Sequence, residues 1–194
     1  MIGQFLFQKQ SSGFPAFSRA SDLVMMRPPS YADMDQWISV RARNQARLRP
    51  LEPVWAEDAL SSAFFNRRLA RQVRDWNDDR HYALFIFRVD TGALIGGMNI
   101  NNVARGAAQF ASLGYWIDES VEGRGYMRSA LALTKKIAFE DLNLHRLHAA
   151  TLSHNLRSRR LLEGAGFQEE GFAPRYLEIN GMWQDHILFG LVRP

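Results

Sequence analysis

The sequence contains no cysteine among its 194 residues. Disulfide bonds, thiol nucleophiles and thiolate metal ligands are therefore excluded, while the redox compartment stays undetermined. Long apolar runs are also missing, since the longest stretches, such as residues 83–87, are far too short to cross a bilayer. Residues 1–21 show no basic segment followed by a long apolar stretch. We therefore expect no secretory signal, no membrane association and a cytoplasmic protein.

Acidic residues are slightly outnumbered: 20 Asp and Glu stand against 24 Lys and Arg, for a net charge of +4. A mildly basic surface attracts anions, so nucleic acid, a phosphorylated cofactor and acidic substrates are all compatible with it. A nucleic-acid-binding module should also show a basic stripe interleaved with aromatic residues, or a helix-turn-helix, and neither is present. We therefore expect no specific nucleic-acid partner and keep such a module as a rival hypothesis.

Three histidines, His145, His148 and His154, are close enough in sequence to suggest a metal site. Their spacing does not place them together on a helix, and no cysteine could complete a ligand set. We therefore expect no metal.

Apolar periodicity divides the chain into helices, with apolar residues every three to four positions, and strands dense in branched and aromatic residues. Strands are predicted at residues 23–26, 81–89, 94–103, 109–117, 146–151, 176–179 and 183–192, and helices at about 31–47, 57–76, 123–142 and 155–164. Asn180-Gly181 lies between the last two strands and is a strong hairpin signal. This order predicts a single α+β domain over residues 21–194. Residues 1–20 lack periodicity, so we expect a loosely held N-terminal extension there.

The segment from Leu113 to Met127 carries the most informative pattern, because a predicted strand runs through Gly123 and Gly125 into a predicted helix. The first turn of a helix has backbone N–H groups without internal partners and the positive end of the helix dipole. Glycines let an anion approach those groups, so a diphosphate is a suitable ligand. The pattern taken alone is weak, because a tight turn would also need glycines. It matches neither the dinucleotide-binding fingerprint nor the P-loop.

In its order of strand, Gly-x-Gly, helix, strand, Asn-x-x-Ser helix and Gly-Phe, the chain resembles the GNAT N-acetyltransferases. Four further segments are similar to members of the RimJ/RimL type, and the similarity covers roughly residues 23–192. These segments are Arg49–Val54, Asn102–Gly106, Leu113–Tyr115 and Ile179–His186. The resemblance implies the GNAT fold, in which a mixed, mostly antiparallel sheet is flanked by helices.

The resemblance also implies acetyl-CoA as cosubstrate. The family's Gln/Arg-x-x-Gly-x-Gly/Ala loop corresponds here to residues 122–127, with departures at Glu122 and Met127. The implied cofactor-binding residues are Trp116, Ile117, Gly123, Arg124, Gly125, Tyr126, Met127, Arg128, Asn155 and Ser158.

Two catalytic candidates follow from the same resemblance. Many relatives protonate the departing thiolate with a tyrosine at the position held here by Leu162, whereas RimJ/RimL-type members place a serine where Ser158 stands. Ser158 is therefore the candidate acid, and a backbone N–H near Trp116 or Ile117 is expected to stabilise the developing oxyanion. Glu178 is a candidate base acting through water, although a solvent-facing strand residue would look the same.

Candidates for binding the acceptor come from two segments. Asn99 and Asn101 lie on the strand that faces the acceptor cleft in relatives, although asparagines near strand ends commonly serve turns. Glu52, with Trp55 nearby, could line the same pocket and attract a cationic amine, or could be an ordinary surface residue. Asp185-His186 invites an acid–base role, and a structural hydrogen-bond pair is an equal alternative.

The resemblance implies transfer of acetyl from acetyl-CoA to the N-terminal α-amine of a protein, typically a ribosomal protein, by direct attack on the thioester. An α-amine titrates near ~8 and a lysine amine near ~10.4, so the α-amine needs less help from a base. The alternatives are a GNAT enzyme that acetylates a small amine, such as an aminoglycoside or polyamine, and an inactive acetyl-CoA sensor. Either a monomer or a homodimer is compatible with the sequence.

Overall fold

The computed structural model describes residues 13–194, and residues 1–12 lie outside the described part. The described residues form one eight-stranded sheet in the order β1-β2-β3-β4-β5-β6-β8-β7. Its strands are β1 (Arg19–Ala20), β2 (Val24–Arg27), β3 (Tyr82–Arg88), β4 (Leu94–Ala104), β5 (Phe110–Ile117), β6 (Arg146–Leu152), β7 (Gln168–Ile179) and β8 (Met182–Val192). Neighbouring strands are antiparallel except β5 and β6, which are parallel. The expected mixed, mostly antiparallel sheet is confirmed.

Five α-helices lie against this sheet: α1 (Met34–Arg43), α2 (Gln45–Leu48), α3 (Ser62–Asn77), α4 (Tyr126–Lys136) and α5 (Leu156–Gly164), as counted within residues 13–194. A π-helical segment, Ile137–Asp141, continues α4. Strand β3 is buried from Tyr82 to Phe87, as expected for a strand covered on both faces. None of these described helices combines the length and apolar character that a membrane span requires.

Two predicted helices are shorter in the structure because specific residues end or begin them. The helix expected at 31–47 is interrupted at Asn44, whose side chain binds the carbonyl of Val40 and the carboxylate of Asp118. The helix expected from residue 57 begins at Ser62, because the Ser61 hydroxyl accepts a hydrogen bond from the Phe64 N–H and caps the first turn.

The last strand pair also differs from its predicted bounds. Strand β7 begins at Gln168 rather than near Tyr176. Pro174 and the irregular register between Ala173 and Leu177 conceal the longer strand in the sequence. A proline is tolerated there because β7 is an edge strand. The hairpin itself is confirmed, with positive φ at both Asn180 (48°) and Gly181 (81°).

The packed structure extends to the N-terminal side of residue 21, where the sequence suggested a loose extension. Phe14 is 4% exposed, and its ring centroid lies 5.5 Å from that of Trp76. Residues 19 and 20 form β1 and pair with β2. An aromatic side chain without neighbouring periodicity gives no sequence signal, but its burial still stabilises the segment.

Candidate functional site

The parallel pairing of β5 and β6 stops before either strand ends. Their register runs from Phe110 opposite Arg146 to Leu113 opposite Ala149. Strand β5 continues to Ile117 and β6 to Leu152 without further pairing between them. The backbone groups on the facing edges of these strand ends therefore have no ladder partner, and such groups require another hydrogen-bond partner.

The direction of each backbone group in β5 is fixed at both ends of the strand. The Gln109 carbonyl accepts a hydrogen bond from the His145 N–H at 2.7 Å, so it points towards β6. The Asp118 N–H donates to the Ile95 carbonyl at 2.7 Å, so it points towards β4. Because backbone groups alternate sides along a strand, odd-numbered residues of β5 direct their N–H groups towards β6.

This alternation distinguishes the two backbone groups considered for an oxyanion. The N–H of Ile117 points to the open side facing β6, as does that of Tyr115, whereas the N–H of Trp116 points into the ladder with β4. Between the two candidates, Ile117 is therefore the one whose amide can reach a ligand in the gap between β5 and β6.

The loop after β5 presents a helix N-terminus without a side-chain cap. Gly123 and Gly125 both have positive φ, 71° and 85°, which is why α4 begins at Tyr126 and not at the predicted residue 123. A Cβ on Gly123 would meet nothing within 4 Å, and one on Gly125 would meet only Leu23 Cδ1 at 3.8 Å. Arg124 is exposed beside them. The amides at the start of α4 are thus accessible to an anion.

Other predicted members of this site surround the start of α4. Tyr126 is half-buried, and the Arg88 guanidinium lies 5.5 Å from its ring centroid. Met127 packs partly against the core, and Arg128 is exposed. The loop therefore combines accessible amides with exposed cationic side chains.

Asp118 anchors this loop, and sequence reasoning gave it no role. Its carboxylate, 2% exposed as a residue, accepts hydrogen bonds from Arg43, from Asn44 Nδ2 at 2.9 Å and from Ser120 Oγ at 2.9 Å. Burial alone would raise the pKa of Asp118, but these hydrogen bonds outweigh it and lower the pKa to about 2. The Asn44 side chain also accepts from the Glu119 N–H at 2.9 Å. The end of α1 therefore fixes the start of the loop.

Glu122 departs from the family pattern, and the structure gives its carboxylate two partners. One oxygen accepts from Arg47 of α2 and the other from Arg157 of α5. Its negative charge is thereby compensated beside a loop that is suited to anions. The same two ion pairs hold α2 and α5 against the loop.

The first turn of α5 brings two predicted site residues next to β5. The side chain of Asn155 caps the helix by accepting from the Ser158 N–H at 3.2 Å. The Ser158 hydroxyl lies 2.7 Å from the Tyr115 hydroxyl, and either can donate. Burial raises the pKa of Tyr115 to about 12, and the hydrogen bond with Ser158 acts in the opposite direction. Leu162, one turn further along α5, is fully buried in the core.

Tyr115 was not predicted as a site residue. Tyr115 and Trp116 are consecutive residues of β5, so their side chains face opposite sides of the sheet. The two observed contacts agree, since Tyr115 meets α5 whereas the Trp116 ring lies 5.1 Å from the Arg41 guanidinium of α1. Pairing of Tyr115 with Ser158, 43 positions away, depends on the tertiary fold and has no local signal.

Glu52 lies on the Trp116 side of the sheet, but its carboxylate is not free. Arg41 donates to both of its oxygens, one of them at 2.7 Å, and Trp55 Nε1 donates to it at 2.8 Å. The Arg41 guanidinium also lies 4.1 Å from the Trp55 ring centroid. The expectation of an uncompensated acid that attracts a cationic amine is therefore not supported at Glu52.

The side chains of Asn99 and Asn101 lie on the same face of the sheet as the Trp116 ring. Asn99 Oδ1 lies 3.1 Å from Nε2 of His81, and a Cβ on Gly97, two residues away on the same face, would meet Trp116 Nε1 at 2.6 Å. A Cβ on Gly114 would lie 3.3 Å from Asn101 Nδ2. Both asparagines are half-buried. Their side chains and the Glu52 cluster therefore lie on the same side of the sheet.

The candidate residues of the last hairpin do not form one cluster. Glu178 is exposed on the edge strand β7, opposite Trp183. Its hairpin does touch the Glu52 segment, since the Asn180 N–H donates to the Glu52 carbonyl at 2.9 Å. The Asp185 carboxylate accepts from the Arg175 N–H, and His186 Nδ1 lies 2.9 Å from the Gln184 carbonyl. Asp185 and His186 thus have separate structural partners.

Within residues 13–194, no group of three or more His, Asp or Glu side chains has an arrangement that could hold a metal ion.

Comparison with known proteins identifies a matching family. A family model described as an acetyltransferase (GNAT) domain matches residues 24–168. The chain is 34% identical over 185 residues to the [Ribosomal protein uS5]-alanine N-acetyltransferase of Escherichia coli, a match that covers 94% of each protein.

Two solved structures share the fold along nearly the whole chain. The ribosomal-protein-S5-alanine acetyltransferase of Vibrio fischeri matches with a TM-score of 0.85 and 28% identity, covering 92% of this chain and all of that one. RimJ of Mycobacterium smegmatis, in complex with CoA-disulfide, matches with a TM-score of 0.82 and 31% identity, covering 87% and 81%.

The charge of Asp118 should stabilise the fold in a defined pH range. Because its folded pKa lies below the ordinary value near ~3.9, its contribution is complete above about pH 4 and is lost as the pH falls towards 2. We expect the difference in unfolding free energy between wild type and Asp118→Asn to shrink over that interval, as measured by urea denaturation. Asp22→Asn, at an exposed carboxyl, is the control. A difference independent of pH would contradict the assignment.

Proposed function

Because this chain belongs to the GNAT acetyltransferase family and is an N-acetyltransferase, we propose that it transfers the acetyl group of acetyl-CoA to the N-terminal α-amine of a protein. A ribosomal protein is the proposed acceptor, since the E. coli relative is named for alanine acetylation on ribosomal protein uS5. The single observation that carries the proposal is the accessible N-terminus of α4 beside the point where β5 and β6 stop pairing.

The cosubstrate fits the chain's own groups in three places. The diphosphate accepts hydrogen bonds from the first amides of α4, with Arg124 and Arg128 adding positive charge. The pantetheine arm pairs with the unpaired edge of β5 in the gap facing β6. The thioester carbonyl then accepts from the Ile117 N–H, which stabilises negative charge as it develops. The CoA-disulfide complex of the M. smegmatis relative is consistent with this ligand class.

The reaction proceeds by direct attack of the neutral α-amine on the thioester carbonyl. No strong base is required, because an α-amine with a pKa of about 7.7–8.0 is substantially neutral near pH 7.5. Glu178 remains a candidate for accepting the proton through water, although its exposure gives it no special environment. Ser158 donates a proton to the departing thiolate and regains one from solvent, which takes up the proton that the amine releases. Tyr115 orients the Ser158 hydroxyl from the neighbouring strand.

The acceptor class can be tested directly. Purified protein is incubated with acetyl-CoA and peptides that begin with Ala or Ser, with the same peptides blocked at the N-terminus but carrying an internal lysine, and with spermidine and an aminoglycoside. We expect thiol release and a single acetyl mass shift only for the unblocked peptides. Turnover of the small amines without turnover of any peptide would contradict the proposal.

Gly125 provides a test of cosubstrate binding. A valine side chain at Gly125 would project from the start of α4 into the space where the diphosphate approaches, so Gly125→Val should raise the acetyl-CoA Kd by about tenfold or more in calorimetry. Gly92→Val is the matched control, because Gly92 also has positive φ, 68°, but lies in the turn between β3 and β4. Equal Kd values for both variants and wild type would rule out this phosphate site.

The hydroxyl groups of Ser158 and Tyr115 can be tested through their effect on kcat. Ser158→Ala should lower kcat by about a hundredfold with little change in acetyl-CoA Kd, as expected for loss of a general acid. Tyr115→Phe should lower kcat less, and the double variant should resemble Ser158→Ala because Tyr115 acts through Ser158. Tyr176→Phe, at an exposed tyrosine, is the control. Additive losses in the double variant would contradict the orienting role of Tyr115.

A further inference from the structure

A group of nitrogen donors lies on the Trp116 side of the sheet and has no acceptors among the described residues. Its members are Arg41 Nε of α1 and, one turn apart on α3, Arg68 Nε and Gln72 Nε2. Arg41 is 9% exposed and Gln72 is 2% exposed. Buried polar groups are nearly always hydrogen-bonded, so an excess of donors in one place requires acceptors that the described residues do not supply.

Arg68 is the member of this donor group that lacks the most hydrogen-bond partners. Its guanidinium forms neither a hydrogen bond nor a salt bridge with any residue between 13 and 194, and its Nε is buried. The carbon at its centre lies 5.9 Å from the ring centroid of Trp37, and that of Arg41 lies 5.9 Å from the same ring. A partly buried cation without a counterion is costly unless an anion can reach it.

The charges around Arg68 do not compensate it. Burial first, and then the neighbouring Arg41 and Arg71, lower the pKa of Arg68 to about 10, with Glu52 acting in the opposite direction. Arg68 therefore remains cationic at neutral pH. The Glu52 carboxylate is already engaged by both terminal nitrogens of Arg41. Arg41 and Glu52 compensate each other's charge, so Arg68, unpaired among the described residues, leaves this region positive. Burial lowers the pKa of the nearby His81, and repulsion from Arg68 and Arg71 acts in the same direction.

This positive region adjoins the proposed reaction centre. The Arg41 guanidinium lies 5.1 Å from the ring of Trp116, whose chain neighbours Tyr115 and Ile117 direct their N–H groups into the gap beside β6. Arg41 thus connects the donor group to the strand that carries the proposed reaction centre.

We propose that Arg68 binds a carboxylate of the acceptor, so that the preferred substrate is a polypeptide with an acidic side chain shortly after its N-terminal residue. This inference rests on the proposed function. A bidentate guanidinium–carboxylate pair satisfies the charge and the donors together. The same positive charge repels acceptors that carry several cationic groups, such as spermidine and aminoglycosides.

The test is a positional scan with matched peptides. Neutral peptides that begin with Ala carry a single Glu at each of positions 2 to 6 in turn, and each is paired with the Gln peptide. For wild type we expect kcat/KM to favour Glu over Gln by about tenfold or more at one or two positions. In Arg68→Met this ratio should fall to about one, and Arg68→Lys should retain part of it. Arg71→Met, at an exposed arginine on the same helix, should keep the wild-type ratio.

The Glu/Gln ratio of kcat/KM is measured within one variant. Partial unfolding lowers both values equally and therefore does not change the ratio. A wild-type ratio near one at every position, or a preference that persists in Arg68→Met, overturns the assignment of Arg68 while leaving peptide acetylation intact. If wild type acetylates spermidine but none of the peptides, the proposed function fails together with this inference.

Discussion

Unpaired backbone amides at the end of β5 are the constraint on which the rest of the site depends. A parallel ladder that stops at Leu113 and Ala149 leaves hydrogen-bonding groups along the edge of β5 that a closed sheet would have satisfied. An extended ligand with amide groups of its own can satisfy them without disturbing the sheet. The two left-handed glycines then continue the row of accessible donors into the start of α4. Strand edge and helix start together form the site that we propose for the long, phosphorylated and amide-containing cosubstrate.

Charge is distributed unevenly around this row of donors, and two acidic residues beside it, Asp118 and Glu122, are paired with arginines. Asp118 and Glu122 would both oppose an anion if they were free. Each is instead engaged by arginines from α1, α2 or α5, so their charges join the loop to the surrounding helices. Screened in this way, the carboxylates stabilise the position of the loop without cancelling the positive potential at the start of α4. On the opposite side of the sheet, Glu52 pairs with Arg41, and the half-buried Arg68 has no salt-bridge partner between residues 13 and 194.

The sequence predicted what depends on local pattern and missed what depends on distant contacts. Helical and strand periodicity located the main elements, and the Asn180-Gly181 hairpin signal was correct because backbone conformation follows from those residues directly. Gly123 and Gly125 likewise adopt the positive φ that glycine favours, which moves the start of α4 to Tyr126. The break at Asn44 was missed because its cause is Asp118, 74 positions away. For the same reason the partners of Glu122 and Tyr115 could not be predicted. The gap between β5 and β6 could be expected only through family resemblance, since no residue in either strand marks where pairing ends.

Leu162 stands where many relatives have a tyrosine, but Tyr115 places a phenol beside the same helix. Residues 158 and 162 are one turn apart on α5 and therefore share a face of that helix. Leu162 packs into the core, where it is fully buried. Tyr115 approaches the same face from β5 and meets it one turn earlier, at Ser158. A hydroxyl of the helix and a phenol of the strand thus form the hydrogen-bonded pair that we propose as the proton donor. Because Tyr115 belongs to the strand that also directs the Ile117 amide into the gap, the proposed donor and the proposed oxyanion site are held by one strand.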